Sequence, residues 1–289
     1  MRSEQEMFDL ILSTARADPL IRAVILNGSR ANPNAPKDFF QDFDIIYLVT
    51  DVESIKHQPG WIDRFGERMI LQLPDDMTVP PPLDHPGYAY LIQFMDGNRI
   101  DLTLYPLDRL ADLEEDSQTI ALLDKDGILP DYPPASDQSH LPKPPTQKQF
   151  DDCCNEFWWV SPYVAKGLWR RELTYAKTML DEYVREQLMK MLTWHVGMQT
   201  GFSQCPGKLG KYMERFLEPD LWQLLCQTYS DADYEHTWQA LFAMSELFRR
   251  VAIPVAQQFG FTYPQQDDER VSAHLRHVHT LPRDAQEMY

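Results

Sequence analysis

Val24-Ile25-Leu26-Asn27-Gly28-Ser29-Arg30 has the pattern of a buried strand that ends in a tight turn. Thirteen residues after the serine of that turn comes a second apolar strand pattern, Asp42-Phe43-Asp44-Ile45-Ile46-Tyr47-Leu48-Val49. Side chains alternate along a strand, so Asp42 and Asp44 point to the same face and lie next to each other. The two stretches therefore predict a glycine–serine turn close to a pair of carboxylates.

A third aspartate, Asp101, stands in another apolar strand pattern, Arg99-Ile100-Asp101-Leu102-Thr103-Leu104. Neighbouring carboxylates repel each other and raise each other's pKa unless a cation lies between them. Three carboxylates beside a phosphate-binding turn are typical of metal-dependent phosphoryl or nucleotidyl transfer. We therefore expect Asp42, Asp44 and Asp101 to bind one or two Mg²⁺ ions and to be the catalytic residues. The alternative is a set of surface-facing strand acids.

The turn itself supplies the candidate phosphate ligands. Gly28 permits a close backbone approach that a Cβ would block. Ser29 offers its N–H and its hydroxyl to a phosphate, although an ordinary strand-ending turn has the same composition. Arg30 is suited to pair with a phosphate, or else with an acid on the surface.

Composition limits the class of protein. The chain has 289 residues, enough for one large or two medium domains, and a net charge of −17. Residues 1–140 account for −14 of that charge and residues 141–289 for −3. An acidic surface repels nucleic acid and attracts cations, which favours a cationic small substrate, although solubility alone can explain the charge. There is no signal sequence and no membrane-spanning apolar run, so we expect a cytoplasmic protein with its cysteines reduced and buried.

The two halves of the chain differ in their hydrophobic periodicity. In the first half, helices are predicted at 3–17, 51–69 and 107–123, and strands at 21–26, 43–50, 69–73, 88–94 and 99–105. The proline-rich stretch 129–145 is predicted to be a linker. Beyond it, helical periodicity dominates, and the polar tail after Asp267 leaves room for one more short helix. The sequence thus predicts an α+β protein, with a mixed sheet and helices in a domain at 1–135 and a helical bundle domain at 136–289.

These motifs also resemble a known family. A Gly-Ser turn, an Asp-x-Asp pair and a later strand aspartate resemble the nucleotidyltransferase superfamily typified by DNA polymerase beta. Seven segments are similar to the streptomycin adenylyltransferases, also called aminoglycoside 6-adenylyltransferases: 27–32, 38–44, 100–104, 122–126, 153–158, 163–168 and 207–212. The resemblance extends from near the N terminus to about Tyr263. It implies a nucleotidyltransferase-type first domain and a helical second domain that closes over the nucleotide.

The resemblance implies an activity as well. Such an enzyme transfers AMP from MgATP to a hydroxyl of a streptomycin-type aminoglycoside, releases pyrophosphate and inactivates the antibiotic. The residues alone support only metal-dependent nucleotidyl transfer, and they leave Asp101 as metal ligand, general base or both. Another acceptor, such as a protein or another small molecule, and a non-catalytic nucleotide- or drug-binding module remain alternatives. The sequence does not address the oligomeric state.

By the same resemblance, a lysine in Gly207-Lys208-Leu209-Gly210-Lys211-Tyr212 contacts the ATP triphosphate, although a solvated loop has the same composition. Lys208 and Lys211 are therefore candidate nucleotide ligands. A streptomycin-like substrate carries guanidinium groups, which pair with carboxylates, and sugar faces, which pack on aromatic rings. The candidate substrate-binding residues are Glu156, Trp158, Asp181 and Glu182. The alternatives are a core position for the tryptophan and a solvated helix face for Asp181 and Glu182.

Overall fold

The computed structural model describes residues 1–82 and 84–289 and has two compact units, Met1–Ser139 and His140–Tyr289. The predicted linker, 129–145, spans the division between them. The first unit is built around a mixed six-stranded sheet, and the second is helical. The predicted α+β fold class is confirmed.

The sheet of the first unit has the strand order β3-β4-β5-β2-β1-β6. Its strands are β1 (Ile21–Asn27), β2 (Phe43–Val49), β3 (Arg68–Gln72), β4 (Tyr88–Phe94), β5 (Arg99–Pro106) and β6 (Ile120–Asp124). Strands β2 and β5 pair in parallel, while the other neighbours pair antiparallel. The parallel pair lies in the middle of the sheet, so that each of its two strands pairs with a neighbouring strand on both sides.

Helix α1 (Glu4–Ala17) covers one face of this sheet. Ser3 and Glu6 form a capping box, in which each side chain accepts a hydrogen bond from the other residue's backbone N–H. Met7 and Ile11 are completely buried and pack into the sheet core. The buried Tyr47 hydroxyl of β2 donates a hydrogen bond to the Ile11 carbonyl oxygen at 2.6 Å, which joins the helix to the central strand.

The second unit consists of helices around one apolar core. Its helices are α3 (Gln147–Arg170), α4 (Leu173–Thr178), α5 (Arg185–Thr200), α6 (Pro219–Gln227), α7 (Tyr234–Phe259) and α8 (Gln265–Thr280). The short helix α2 (Val52–Lys56) belongs to the first unit. A π-helical turn, Met179–Val184, joins α4 to α5. The rings of Phe157 and Phe248 stack in this core at a centroid distance of 3.8 Å. None of the helices in the described part of the chain is long and apolar enough to cross a bilayer.

Several element predictions were wrong. The helix predicted at 51–69 is only α2 and a 3-10 turn, Trp61–Phe65, and Met69 lies in β3 with 59% of its surface exposed. The helix predicted at 107–123 is a 3-10 segment followed by strand β6, which pairs with β1. The tail helix α8 has 16 residues and contributes Leu275 to the core. Cys153 and Cys154 are buried thiols as expected, but Cys226 is exposed.

Candidate active site

The three predicted aspartates lie close together in the first unit, near the N-terminal ends of β2 and β5. In the parallel pairing of β2 with β5, Asp44 lies level with Asp101. Asp42 directly precedes β2 and is on the same face as Asp44 because side chains alternate along a strand. One carboxylate oxygen from each residue lies within 4.8 Å of the other two, and all three side chains are partly exposed. Hard oxygen donors that converge in this way fit a divalent cation such as Mg²⁺.

The glycine–serine turn lies directly beside this cluster. In the antiparallel pairing of β1 with β2, Asn27 is opposite Asp44, and the 3-10 turn Gly28–Arg30 follows at once. Gly28 has a φ of +73°, and a Cβ built there would lie 2.2 Å from the Asp44 carboxylate oxygen Oδ2. Glycine is therefore required here by the backbone conformation and by the approach of Asp44.

Arg30 contacts the loop that leads into β2. Its Nε donates to the Asp42 carbonyl oxygen at 3.1 Å, and its Nη2 donates to the carbonyl oxygen of Gln41. Its Nη1 pairs with the Glu4 carboxylate at 2.8 Å, and the guanidinium lies 3.8 Å from the centroid of the Phe43 ring. These contacts hold the backbone that presents Asp42. They match the acid-pairing alternative for Arg30, and its contact with a phosphate stays a prediction.

Two further residues of this region were not predicted from the sequence as site residues. Gln41 donates from its Nε2 to the Ser29 carbonyl oxygen at 3.1 Å and so ties the loop to the turn. Arg99 contacts Asp101 through two hydrogen bonds. A signal for Arg99 was present, because residues two apart on a strand share a face. Gln41 had none, since its contact depends on the path of the loop.

In the second unit, Asp181 and Glu182 lie in the π-helical turn, where the backbone is wider than in an α-helix. Both line a pocket of about 500 Å³, together with residues of α5 and of the loop before α6, such as Trp194 and Gly207. Asp181 already pairs with Lys177 and Arg185 at 2.8 and 2.9 Å. Glu182 is exposed, so its carboxylate is the more available of the two for a cationic ligand.

The candidate lysines belong to a loop with an unusual backbone. Lys208 and Lys211 are both exposed, and the Lys211 ammonium lies 5.1 Å from the centroid of the Tyr212 ring. Gly207 has a φ of +78°, and a Cβ there would lie 2.8 Å from side-chain atoms of Lys211 and Tyr212. Leu209 also has a positive φ and is 92% exposed. The loop presents its two cations to solvent in a defined conformation.

The other two candidates lie on α3. Trp158 is only 2% exposed and packs edge-on against Phe157. A ring so buried has no face available to a ligand. Trp158 is therefore a core residue, as the alternative interpretation had it, and it is not placed to contact a substrate. Glu156 is exposed, and the neighbouring Trp159 is 63% exposed. Helical spacing did carry a signal, because Trp158 lies four residues after Cys154 and seven before Ala165, on the apolar face of α3. Trp159 lies four residues after Asn155, on the polar face.

The chain matches known proteins along most of its length. The family model for streptomycin adenylyltransferase matches residues 1–278. An aminoglycoside 6-adenylyltransferase of Bacillus subtilis (strain 168) is 44% identical over 270 residues, which cover 93% of this chain and 95% of that protein. One from Campylobacter jejuni is 42% identical, with coverage of 93% for both chains.

One solved structure is also similar. It is described as an aminoglycoside 6-adenyltransferase from Bacillus subtilis and has 40% sequence identity to this chain. The match covers 97% of this chain and 100% of that chain, with a TM-score of 0.48.

Proposed function

The chain belongs to the streptomycin adenylyltransferase family, and from this membership we propose that it transfers AMP from MgATP to a hydroxyl of a streptomycin-type aminoglycoside. Pyrophosphate is the second product. The modified antibiotic carries a bulky anion, so the consequence for a cell is resistance. The observation that carries the proposal is the convergence of the Asp42, Asp44 and Asp101 carboxylates beside the Gly28–Arg30 turn.

The residues of the first unit have distinct roles in this reaction. Asp42, Asp44 and Asp101 hold the divalent ion, and Asp101 is also the candidate general base for the acceptor hydroxyl. A bound Mg²⁺ would neutralise charge on the phosphates and lower the pKa of the attacking hydroxyl. The backbone N–H groups of the Gly28–Arg30 turn orient the nucleotide through its phosphates. Gln41 and Arg30 keep the turn and the Asp42 loop in position through their contacts with carbonyl oxygens.

The residues of the second unit are proposed ligands of the two substrates. Lys208 and Lys211 bind the ATP triphosphate by charge. Glu182 pairs with a guanidinium of the aminoglycoside, with Asp181 and Glu156 as further acidic contacts. The exposure of four of these side chains supports the assignments: Glu156, Glu182, Lys208 and Lys211. Asp181 is only partly exposed and already paired.

Mass spectrometry of streptomycin after incubation with MgATP and the enzyme tests the proposal. We expect a mass increase of one adenylyl group, with pyrophosphate released in equal amount. Asp42→Asn should lower kcat by roughly a thousandfold, because a metal ligand stabilises several kcal/mol of transition-state charge. Its circular dichroism and Tm should show an intact fold.

Three results would contradict parts of this proposal. Adenylylation of a protein or of another small molecule, with streptomycin unchanged, would support a different acceptor. Streptomycin binding in calorimetry without AMP transfer would support a non-catalytic binding protein. Normal turnover by Asp42→Asn would contradict the metal assignment itself.

A further inference from the structure

A cation of the chain itself lies against the three carboxylates. Arg99 begins β5, two residues before Asp101, and shares its face of the sheet. Its Nη2 donates to the Asp101 Oδ2 at 2.7 Å, and its Nε donates to the Asp101 Oδ1 at 2.8 Å. Both oxygens of the Asp101 carboxylate are thus engaged by one guanidinium. The Arg99 side chain is 43% exposed, so it can exchange this partner for one that arrives from solvent.

The same guanidinium faces a second carboxylate of the cluster. The Arg99 Nε lies 3.6 Å from the Asp42 Oδ2. The Asp44 carboxylate belongs to the same cluster, with an oxygen within 4.8 Å of oxygens of Asp42 and Asp101. Arg99 therefore supplies positive charge that three adjacent carboxylates need. A divalent ion that binds the same oxygens competes with this guanidinium, since the two positive charges repel each other.

We propose that Arg99 is a positioning residue that neutralises the carboxylate cluster before substrates bind and turns to the triphosphate when the metal–ATP complex enters. The second half of this inference rests on the proposed function. Phosphate oxygens accept two parallel hydrogen bonds from a guanidinium, as the Asp101 carboxylate does, so the exchange conserves the bonding of Arg99. Metal alone offers the displaced guanidinium no new partner, whereas metal with nucleotide does. Metal and nucleotide consequently bind with positive cooperativity.

Calorimetric titration with Mn²⁺ tests the inference without any turnover. The metal is titrated into wild type and into Arg99→Gln, with and without α,β-methylene ATP, a nucleotide whose α–β linkage cannot be cleaved. We expect Mn²⁺ alone to bind Arg99→Gln about tenfold more tightly than wild type, because no guanidinium has to be displaced. The nucleotide analogue should raise Mn²⁺ affinity in wild type by about tenfold and much less in the variant.

Two further variants sharpen the test. Arg109→Gln removes an exposed arginine of the same unit that pairs with Asp112 and should leave both affinities at their wild-type values. Arg99→Lys keeps the charge but loses the two-pronged geometry, so its cooperativity should fall between wild type and Arg99→Gln. If Arg99→Gln does not fold, as judged by circular dichroism, Arg99→Lys carries the test.

The outcomes separate the two proposals. If Mn²⁺ alone binds Arg99→Gln no more tightly than wild type, and the nucleotide effect is the same in wild type and both Arg99 variants, Arg99 is only a surface ion pair and the inference is overturned. If wild type shows the expected cooperativity but does not modify streptomycin, the inference stands and the proposed acceptor fails. Adenylylation of streptomycin with no effect of Arg99 leaves the proposed function alone standing.

Discussion

At the scale of single residues, the site depends on how closely the turn and the carboxylates approach each other. Alternation along a strand placed Asp42 and Asp44 on one face, and this could be predicted from the sequence. The level position of Asp44 and Asp101 could not, because it depends on the pairing register of β2 with β5. The contacts of Arg30 were equally hidden, because they go to carbonyl oxygens of a loop with no regular pattern.

The close approach of Asp44 to Gly28 can be tested by substitution. Gly28→Ala should reduce metal affinity and kcat strongly, because the added Cβ meets the Asp44 carboxylate at 2.2 Å and must displace it. The left-handed backbone adds a stability cost of about 1 kcal/mol for a residue other than glycine. Metal titration, turnover and Tm together measure these effects.

Gly127→Ala is the matched control for this change. Gly127 has a similar φ of +66°, but its added Cβ would have nothing within 4 Å. This variant should lose a similar amount of stability while metal binding and kcat stay at wild-type values. Equal loss of activity in both variants would mean that backbone strain, and not the position of Asp44, limits the reaction.

At the scale of elements, the local sequence pattern predicted the wrong secondary structure where contacts with residues distant in sequence determine the conformation. The segment 120–124 was predicted to be helical, yet it forms β6 because β1 offers it an unpaired edge. Apolar residues from Leu173 to Met191 have the spacing of one continuous helix, yet the segment contains the π-helical turn Met179–Val184. A hydrophobic stripe reports which face is buried and does not reveal an extra residue in one turn.

The two acids of the π-helical turn, Asp181 and Glu182, can be tested by substitution. Glu182→Gln should raise the KM for streptomycin by roughly tenfold, as expected for loss of one charged hydrogen bond, with kcat for the bound substrate nearly unchanged. Asp181→Asn should have a smaller effect, because Asp181 already pairs with Lys177 and Arg185. Steady-state kinetics with varied streptomycin at saturating MgATP measure both.

Asp152→Asn provides the control. Asp152 pairs with Lys148 four residues earlier on an exposed helical face of the same unit, as Asp181 pairs with Lys177. Its KM should equal that of wild type. A larger KM increase for Asp181→Asn than for Glu182→Gln would reverse the assignment of the available carboxylate.

At the scale of the whole molecule, the change from mixed to helical periodicity predicted the two kinds of architecture seen in the units Met1–Ser139 and His140–Tyr289. The net charge is distributed unevenly along the chain, because −14 of the total −17 belongs to residues 1–140. Such an acidic surface attracts cations, which agrees with the proposed metal site and the proposed cationic substrate. Which acids converge was decided by strand order, which composition does not contain.

In the proposed reaction, Asp42, Asp44 and Asp101 together hold the divalent ion. A crystal grown with Mn²⁺ and α,β-methylene ATP tests it through the anomalous scattering of manganese. We expect a manganese peak within bonding distance of all three carboxylates and of the nucleotide phosphates. Nucleotide bound in the crystal with manganese at other residues, and none at these aspartates, would contradict it.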